Sequence, residues 1–218
     1  MKNNDPFLDE RLNRYDKWLN KKLISFSSKV IPVCESLEGK QWILPEARVR
    51  EILKTARSIA LTHCLCRTHY RRCDSPTEVC LLLNETGEKS VAMGKGRHID
   101  TDEAVRVLRK ADESGLVHLS LYRPDHQVFA LCSCCNCCCH DLQIIQQYDR
   151  RELMVHSEYI AETDMELCIH CGECPDRCVF KARKMDGSGE LAYDPGACYG
   201  CGLCVSVCPV RATRMSLK

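Results

Sequence analysis

A chain of 218 residues holds one or two domains and a moderate core. Its 31 Lys+Arg nearly balance 30 Asp+Glu, for a net charge of +1, which removes any global electrostatic case for nucleic acid or an anionic membrane as partner. No apolar run approaches the roughly 18 residues of a membrane span. The 19 cysteines sit in tight CxxC spacings behind a start that has no apolar signal-peptide core, which points to metal-binding thiols in a reducing, cytoplasmic compartment rather than a disulfide scaffold.

Residues 5–29 are predicted as an amphipathic helix. Leu8, Leu12, Tyr15 and Leu19 recur at helical spacing, and Trp18 widens the stripe. A short strand or loop at 30–39 is broken by Pro32, and Cys34 within it reads as a small buried hydrophobe. A second helix starts at Pro45, a favourable first position. Its stripe of Val49, Ile52, Leu53, Ala56 and Ile59 runs on into His63-Cys64-Leu65-Cys66. From 67 to 97 the helical period fails, and Pro76, Gly87, Gly94 and Gly96 make a long functional loop the expectation. Asp100 is placed to cap a third helix, with Glu103 reaching back in a capping box, Ala104, Val107, Leu108 and Ala111 on the buried face, and Gly115 at the end. Strands are expected at 116–122 and 127–131. Helix followed by hairpin suggests a small winged-helix-like α+β unit, from which no DNA binding follows. A short helix at 141–151 leads into the C-terminal quarter.

That quarter carries one pattern twice: Cys168-x2-Cys171-x2-Cys174-x3-Cys178, then Cys198-x2-Cys201-x2-Cys204-x3-Cys208, followed by Pro209. The offset is a constant 30 positions, which also matches Asp164 with Asp194, Gly172 with Gly202, Ala182 with Ala212, and Met185 with Met215. Soft thiolates suit iron–sulfur clusters, and three-residue spacings let one tight loop present three sulfurs to three iron corners. A zinc site can also use CxxC pairs, but it has no need of a third cysteine at the same spacing.

The repeat resembles the bacterial-type two-cluster ferredoxin domain over residues 158–218. The resemblance implies a small pseudo-two-fold fold holding two [4Fe–4S] clusters, with the fourth cysteine of each run serving the other cluster. Carried over by position, one cluster takes Cys168, Cys171, Cys174 and Cys208; the other takes Cys198, Cys201, Cys204 and Cys178. Two departures stand out: Val179 where proline usually follows the fourth cysteine, and Pro175 directly after Cys174.

Ten further cysteines lie upstream: Cys64, Cys66, Cys73, Cys80, Cys132, Cys134, Cys135, Cys137, Cys138 and Cys139. Neighbouring residues cannot all point into one core, so the 132–139 run needs a chemical role. The readings are an additional iron–sulfur or metal site, redox-active thiols, structural packing, or zinc. The first group is expected to fold over the second, with the run splitting its thiols between a cluster and neighbouring supporting or reactive positions, because adjacent cysteines seldom ligate one ion. Arg67, Arg71, Arg72 and His140 are near enough in sequence to favour thiolate. The whole chain also resembles poorly characterised cysteine-rich iron–sulfur proteins of anaerobes, through Cys64-Leu65-Cys66-Arg67, Cys73-Asp74-Ser75-Pro76 and the 132–139 run. That likeness implies a redox role and assigns no substrate.

The fold expected is therefore α+β: a cysteine-rich domain at 1–157 and the dicluster domain at 158–218. The function expected is electron transfer through two [4Fe–4S] clusters to a redox partner protein or to the N-terminal cysteines, with no membrane span and no nucleic acid. An oxidoreductase with a catalytic N-terminal thiol site and a redox-responsive regulator are the alternatives. Gly94-Lys95-Gly96-Arg97 lacks phosphate-loop spacing. His98, His118, His126 and His156 are scattered, and no Ser/His/Asp set assembles.

Overall fold

A computed structural model describes residues 5–31, 45–125 and 127–218, with backbone alone for 45–48. Cys34, His126 and most of the 30–39 segment lie outside the described residues. Helix α1 (Pro6–Asn20) begins where the Asp5 carboxylate accepts from the N–H groups of Phe7 and Leu8, and it buries Leu8 and Tyr15. It stops well short of residue 29. Lys22 turns the backbone left-handed (φ 54°), and Ser28–Ile31 is taken as strand β1 by pairing with residues 118–121.

Helix α2 (Pro45–Thr55) starts as expected, but its stripe does not carry on to Cys66. Ile59–His63 is strand β2, buried at four successive positions, so its alternation is invisible in the sequence. The expected loop at 67–97 is largely regular: α3 (Leu65–Tyr70), β3 (Glu78–Leu83), α4 (Asn84–Ala92) and β4 (Gly96–Ile99). Gly87 does not break α4. A Cβ there would stand 2.7 Å from the Leu82 carbonyl oxygen, so glycine lets the helix lie close on the sheet. Helix α5 (Thr101–Glu113) is capped by the Asp100 carboxylate on the N–H of Glu103 at 2.7 Å. The Glu103 carboxylate does not close a capping box; it pairs with Arg97.

Strands β5 (Val117–Tyr122) and β6 (Val128–Cys134) form the expected hairpin, which is not a wing. It sits inside a seven-stranded sheet of order β4-β2-β3-β6-β5-β1-β7, with β7 being Met154–Val155. Both hairpin strands carry further pairing on their outer edges, which a winged helix leaves free. Every pairing is antiparallel except β1 with β7. Leu81, Leu83, Leu131, Ile59 and Leu61 pack under α2 and α5 on one face. On the other, Val30, Leu119, Leu121, Ala130 and Cys134 pack under helix α6 (His140–Tyr148), Tyr199 and Leu203. Among the described residues no helix is long and apolar enough to cross a membrane.

The C-terminal repeat folds as two interleaved halves. Strand β8 (Tyr159–Thr163) opens the first half and pairs with β11 (Thr213–Leu217), which closes the second. Strand β10 (Leu191–Tyr193) opens the second half and pairs with β9 (Arg183–Met185), which closes the first. The 30-residue offset survives in the backbone. Asp164 N–H donates to the Ala212 carbonyl at 2.8 Å, and Asp194 N–H to the Ala182 carbonyl at 2.7 Å. Gly172 and Gly202 stand at φ 83° and 80°, a turn open to glycine, immediately before helices α7 (Glu173–Arg177) and α8 (Leu203–Ser206).

Candidate iron–sulfur and metal centres

The interleaving brings cysteines of the two runs together. One pocket is walled by Cys168, Cys171, Cys174 and Cys208 together with Ile169, Met185 and Leu191. A second is walled by Cys178, Cys198, Cys201 and Cys204 together with Phe180, Ala182 and Tyr199. Each cavity has three sulfurs from one run and the fourth from the other. The donor set fits iron–sulfur clusters: four soft thiols around each largely apolar pocket. His170, beside the first cavity, has its Nδ1 occupied by the N–H of Leu191 at 2.9 Å.

The cavities differ in setting. In the first, Cys171 is exposed, and Met165, Leu167, Ile169 and Val210 are exposed around it. Burial pushes the Cys174 thiol up. At Cys208 burial also works upward, but backbone N–H groups of Thr213, Ala212 and Val210 outweigh it and hold the thiol low. In the second cavity Cys198 and Cys204 are buried, and burial pushes Cys204 up to about 12. Bare thiols in such a place resist ionising, so the charge needed there must come with the metal that binds them. Val179, the departure from proline, packs on the core under α6.

Arg183 was not flagged by the sequence reading. It lies between the cavities, 3 % exposed, donating to Thr163 Oγ1 at 2.7 Å and to Cys174 Sγ at 3.8 Å. Burial opposes its charge, but the Cys204 and Cys174 sulfurs outweigh that penalty. The signal was available: the repeat puts neutral Thr213 at the matching position of the other half.

The ten upstream cysteines fall into two nests. Strand register places Leu81 opposite Leu131 and so brings Cys80 beside Cys132, sulfurs 3.4 Å apart. Cys134 follows on the same face and meets Cys132 and Cys139. Cys64 and Cys66, at the start of α3, bond each other, and Cys66 lies by Cys139. The Cys66 thiol bond lowers Cys64 to about 6 against the effect of burial. These six form a nest on the α6 face of the sheet. Beneath it Arg11 pairs with Asp141 at 2.9 Å, and Tyr15 donates to Asp141 at 2.8 Å.

The other nest lies towards α5. Cys73, Cys135, Cys137 and Cys138 hold all four sulfurs within 4.8 Å of one another, the one such set of three or more ligating groups among the described residues. Cys137 and Cys138 share this set, contrary to the expectation for adjacent cysteines; their sulfurs are 3.7 Å apart. Of the basic residues expected to serve the thiols, Arg67 does so: it is 2 % exposed and lies against Cys135, Cys64 and Cys134. Arg72 reaches the Cys137 carbonyl at 3.1 Å. Arg71 instead donates to Thr68 in an exposed contact. His140 supplies no charge, because burial lowers its pKa to about 4, and neither ring nitrogen has a partner.

Two cavities, each ringed by four cysteines and related by an internal repeat, define an iron–sulfur protein of the two-cluster class. Residues 161–215 match the family described as a 4Fe-4S dicluster domain. Subunit PorD of pyruvate synthase from Methanothermobacter marburgensis is 38% identical over 56 residues, a ferredoxin of Pyrobaculum islandicum 37% over 49, and an uncharacterised ferredoxin of Methanocaldococcus jannaschii 32% over 54. These stretches cover 24%, 22% and 24% of this chain. The chain spans 59%, 46% and 87% of the respective relatives. Through this segment the chain belongs to the ferredoxin-type 4Fe-4S dicluster family, whose domain is an electron-transfer module carrying two [4Fe–4S] clusters.

Proposed function

We propose that this chain is a one-electron carrier with a port at each end of its dicluster module, residues 158–218. Cys168, Cys171, Cys174 and Cys208 hold one cluster; Cys198, Cys201, Cys204 and Cys178 hold the other. When bound, the clusters supply reversible one-electron chemistry, and no side chain has to move a proton. The protein's part is to space the centres, keep water from the inner one and set their potentials.

The observation that carries the direction of traffic is a shared core. Tyr199 and Leu203, beside the inner cavity, pack with Cys134 and Cys139 of the upstream domain, residues 1–157, and half-buried Cys201 and Cys132 join them. The inner centre therefore faces the upstream cysteines. The outer one faces solvent through the apolar rim of Leu167 and Ile169, a surface suited to a redox partner protein. The likeness to PorD, a subunit of pyruvate synthase, supports a partner oxidoreductase. Anaerobically purified protein is expected to hold at least about eight iron and eight sulfide for two four-iron clusters, and to show paramagnetic signals on reduction. Ile169→Glu should slow reduction by a partner while iron content stays unchanged. Protein that stays colourless and silent on reduction after reconstitution ends this reading.

One observation favours a second reading, in which the six-thiol nest is itself a catalytic centre. His140 is 2 % exposed with both ring nitrogens unpartnered, on the element that also carries Asp141. A neutral buried imidazole beside thiols can ligate a metal or a bound molecule. Reoxidation of the reduced protein by a small-molecule substrate, abolished in His140→Phe, separates this reading from simple electron carriage.

A further inference from the structure

The four sulfurs of Cys73, Cys135, Cys137 and Cys138 are too close together for a cubane and correctly spaced for one ion. A metal–sulfur bond of about 2.3 Å with tetrahedral angles puts neighbouring sulfurs about 3.8 Å apart. The Cys73–Cys135 and Cys137–Cys138 pairs each stand at 3.7 Å, and the whole set falls within 4.8 Å. A cubane spreads its thiolates over separate iron corners, and no such spread exists here. A disulfide would need sulfurs about 2.05 Å apart.

We infer that these four cysteines form a closed tetrathiolate site for a single thiophilic divalent ion, zinc or ferrous iron. The site is built as such sites are. Four protein ligands leave no open position, which marks a structural rather than a catalytic centre. Cys138 is 0 % exposed and Cys135 7 %, and Val79, Ala111 and Leu116 cover them on the α5 side. A divalent ion with four thiolates carries a net charge of −2, and a counter-charge is in place: buried Arg67 lies against Cys135. Its guanidinium is fixed by donating to the Pro76 and Ser133 carbonyls, each at 2.9 Å. Ser75 and the backbone N–H of Cys138 turn hydrogen bonds onto the sulfurs of Cys73 and Cys135. The ion would pin the loop between α3 and β3 to the end of β6, where Cys134 of the six-thiol nest packs with Tyr199 and Leu203 beside the inner cavity.

The test uses the full chain, purified without air. Metal and sulfide analysis should find one zinc, or one iron unaccompanied by sulfide, above the iron–sulfur complement. If the ion is zinc, X-ray absorption at the zinc edge should show four sulfurs at about 2.3 Å and no second metal nearby. If it is iron, Mössbauer spectra should show one mononuclear high-spin ferrous component with four thiolates beside the cluster irons, and metal analysis tells the two ions apart. Cys135→Ser and, separately, Cys73→Ser on the exposed side of the site should each lose that one equivalent, with the sulfide content and the reduced-state signals of the C-terminal clusters retained. Should either variant fail to fold, the zinc-edge or Mössbauer spectrum of the unmodified chain still decides. The inference is overturned by an extra metal that brings sulfide with it, by wild-type protein without an extra ion, or by a Cys73–Cys135 disulfide in the anaerobic protein. It does not depend on the carrier reading, since a chain stripped of its C-terminal clusters would keep the ion.

Discussion

The two halves of the C-terminal repeat offer the same sulfur spacing to opposite surroundings. The first half turns its cavity outward, with Cys171 exposed and apolar side chains standing free around it. The second is pressed onto the upstream sheet. Within the module its Gly200 lies close on β8: a Cβ there would fall 2.1 Å from the Tyr159 carbonyl oxygen, whereas the first half has His170 at the matching place. Tyr199 is stacked between Phe180 and His156 at ring separations of 4.3 and 3.9 Å. Ligand spacing decides what each half binds, and packing decides what each half can reach.

The sharpest way to break this comparison is to exchange which half loses its centre. With crossed ligands, Cys178→Ser should remove the inner, second-half cluster although the residue belongs to the first run, and Cys208→Ser should remove the outer one. Each variant should lose about four iron and four sulfide, and only the Cys208→Ser protein should lose the solvent-facing signal that a relaxing agent broadens. Uncrossed ligands would reverse the assignment. Next in size is packing. Leu203 is 1 % exposed in the core shared with the upstream sheet, and its counterpart at the same offset is exposed Glu173. Leu203→Ala should cost about 2–5 kcal/mol in denaturant unfolding, while Glu173→Ala should stay within about 0.5 kcal/mol. Equal costs would mean that the halves are equally seated.

The same contrast explains what could be read in advance. Cluster ligands are a demand of the local chain, three sulfurs per tight loop, so Cys168 to Cys208 were legible by spacing alone. The matching of Gly172 with Gly202 came with them. The upstream sheet is a non-local object. Strand β2 is buried at Ile59, Ala60, Leu61 and Thr62 in succession, so it reads as the continuation of an amphipathic helix. Gly87 looks like a loop residue until the Leu82 carbonyl is seen beneath it. The split of ten thiols into sets of six and four depends on the register of β3 against β6, which no sequence spacing states. Asp141 and Arg11, a buried pair 130 positions apart in the chain, were invisible for the same reason.

The seam between the halves and the upstream domain should also be sensitive to pH. Asp112, 3 % exposed near the end of α5, faces Arg177 of the first half and Ser206 of the second. Burial raises its pKa from 3.8 to about 6 despite the Arg177 charge. The folded chain thus holds this proton more tightly than the unfolded one. The stabilising contribution is full below the unfolded value and is lost as pH rises through about 6, for a total of about 2–3 kcal/mol. Asp112→Asn should flatten that part of the pH–stability curve, measured by denaturant unfolding from about pH 5 to 8. An unchanged slope would place the carboxylate in water.

The smallest effect is electrostatic and tests whether the asymmetry reaches the electrons. Reduction adds one negative charge to a centre, and Arg183 is the buried cation that lies against sulfurs of both cavities. Because it donates a hydrogen bond to Cys174 on top of its charge contacts with Cys174 and Cys204, its influence should be greater on the outer centre. Arg183→Gln should lower the outer potential by on the order of 59 mV, a tenfold change for one electron, and lower the inner by less. Thr213, its neutral counterpart, meets the Thr163 hydroxyl at 3.1 Å and also hydrogen-bonds the Cys208 sulfur, so Thr213→Val should lower the outer potential by less than Arg183→Gln does and leave the inner one nearly in place. A redox titration in which Arg183→Gln shifts the two signals equally would mean that the guanidinium acts as a distant charge. One in which it shifts neither would mean that water reaches the seam and screens it, which the apolar packing around Tyr193 and Ala182 argues against.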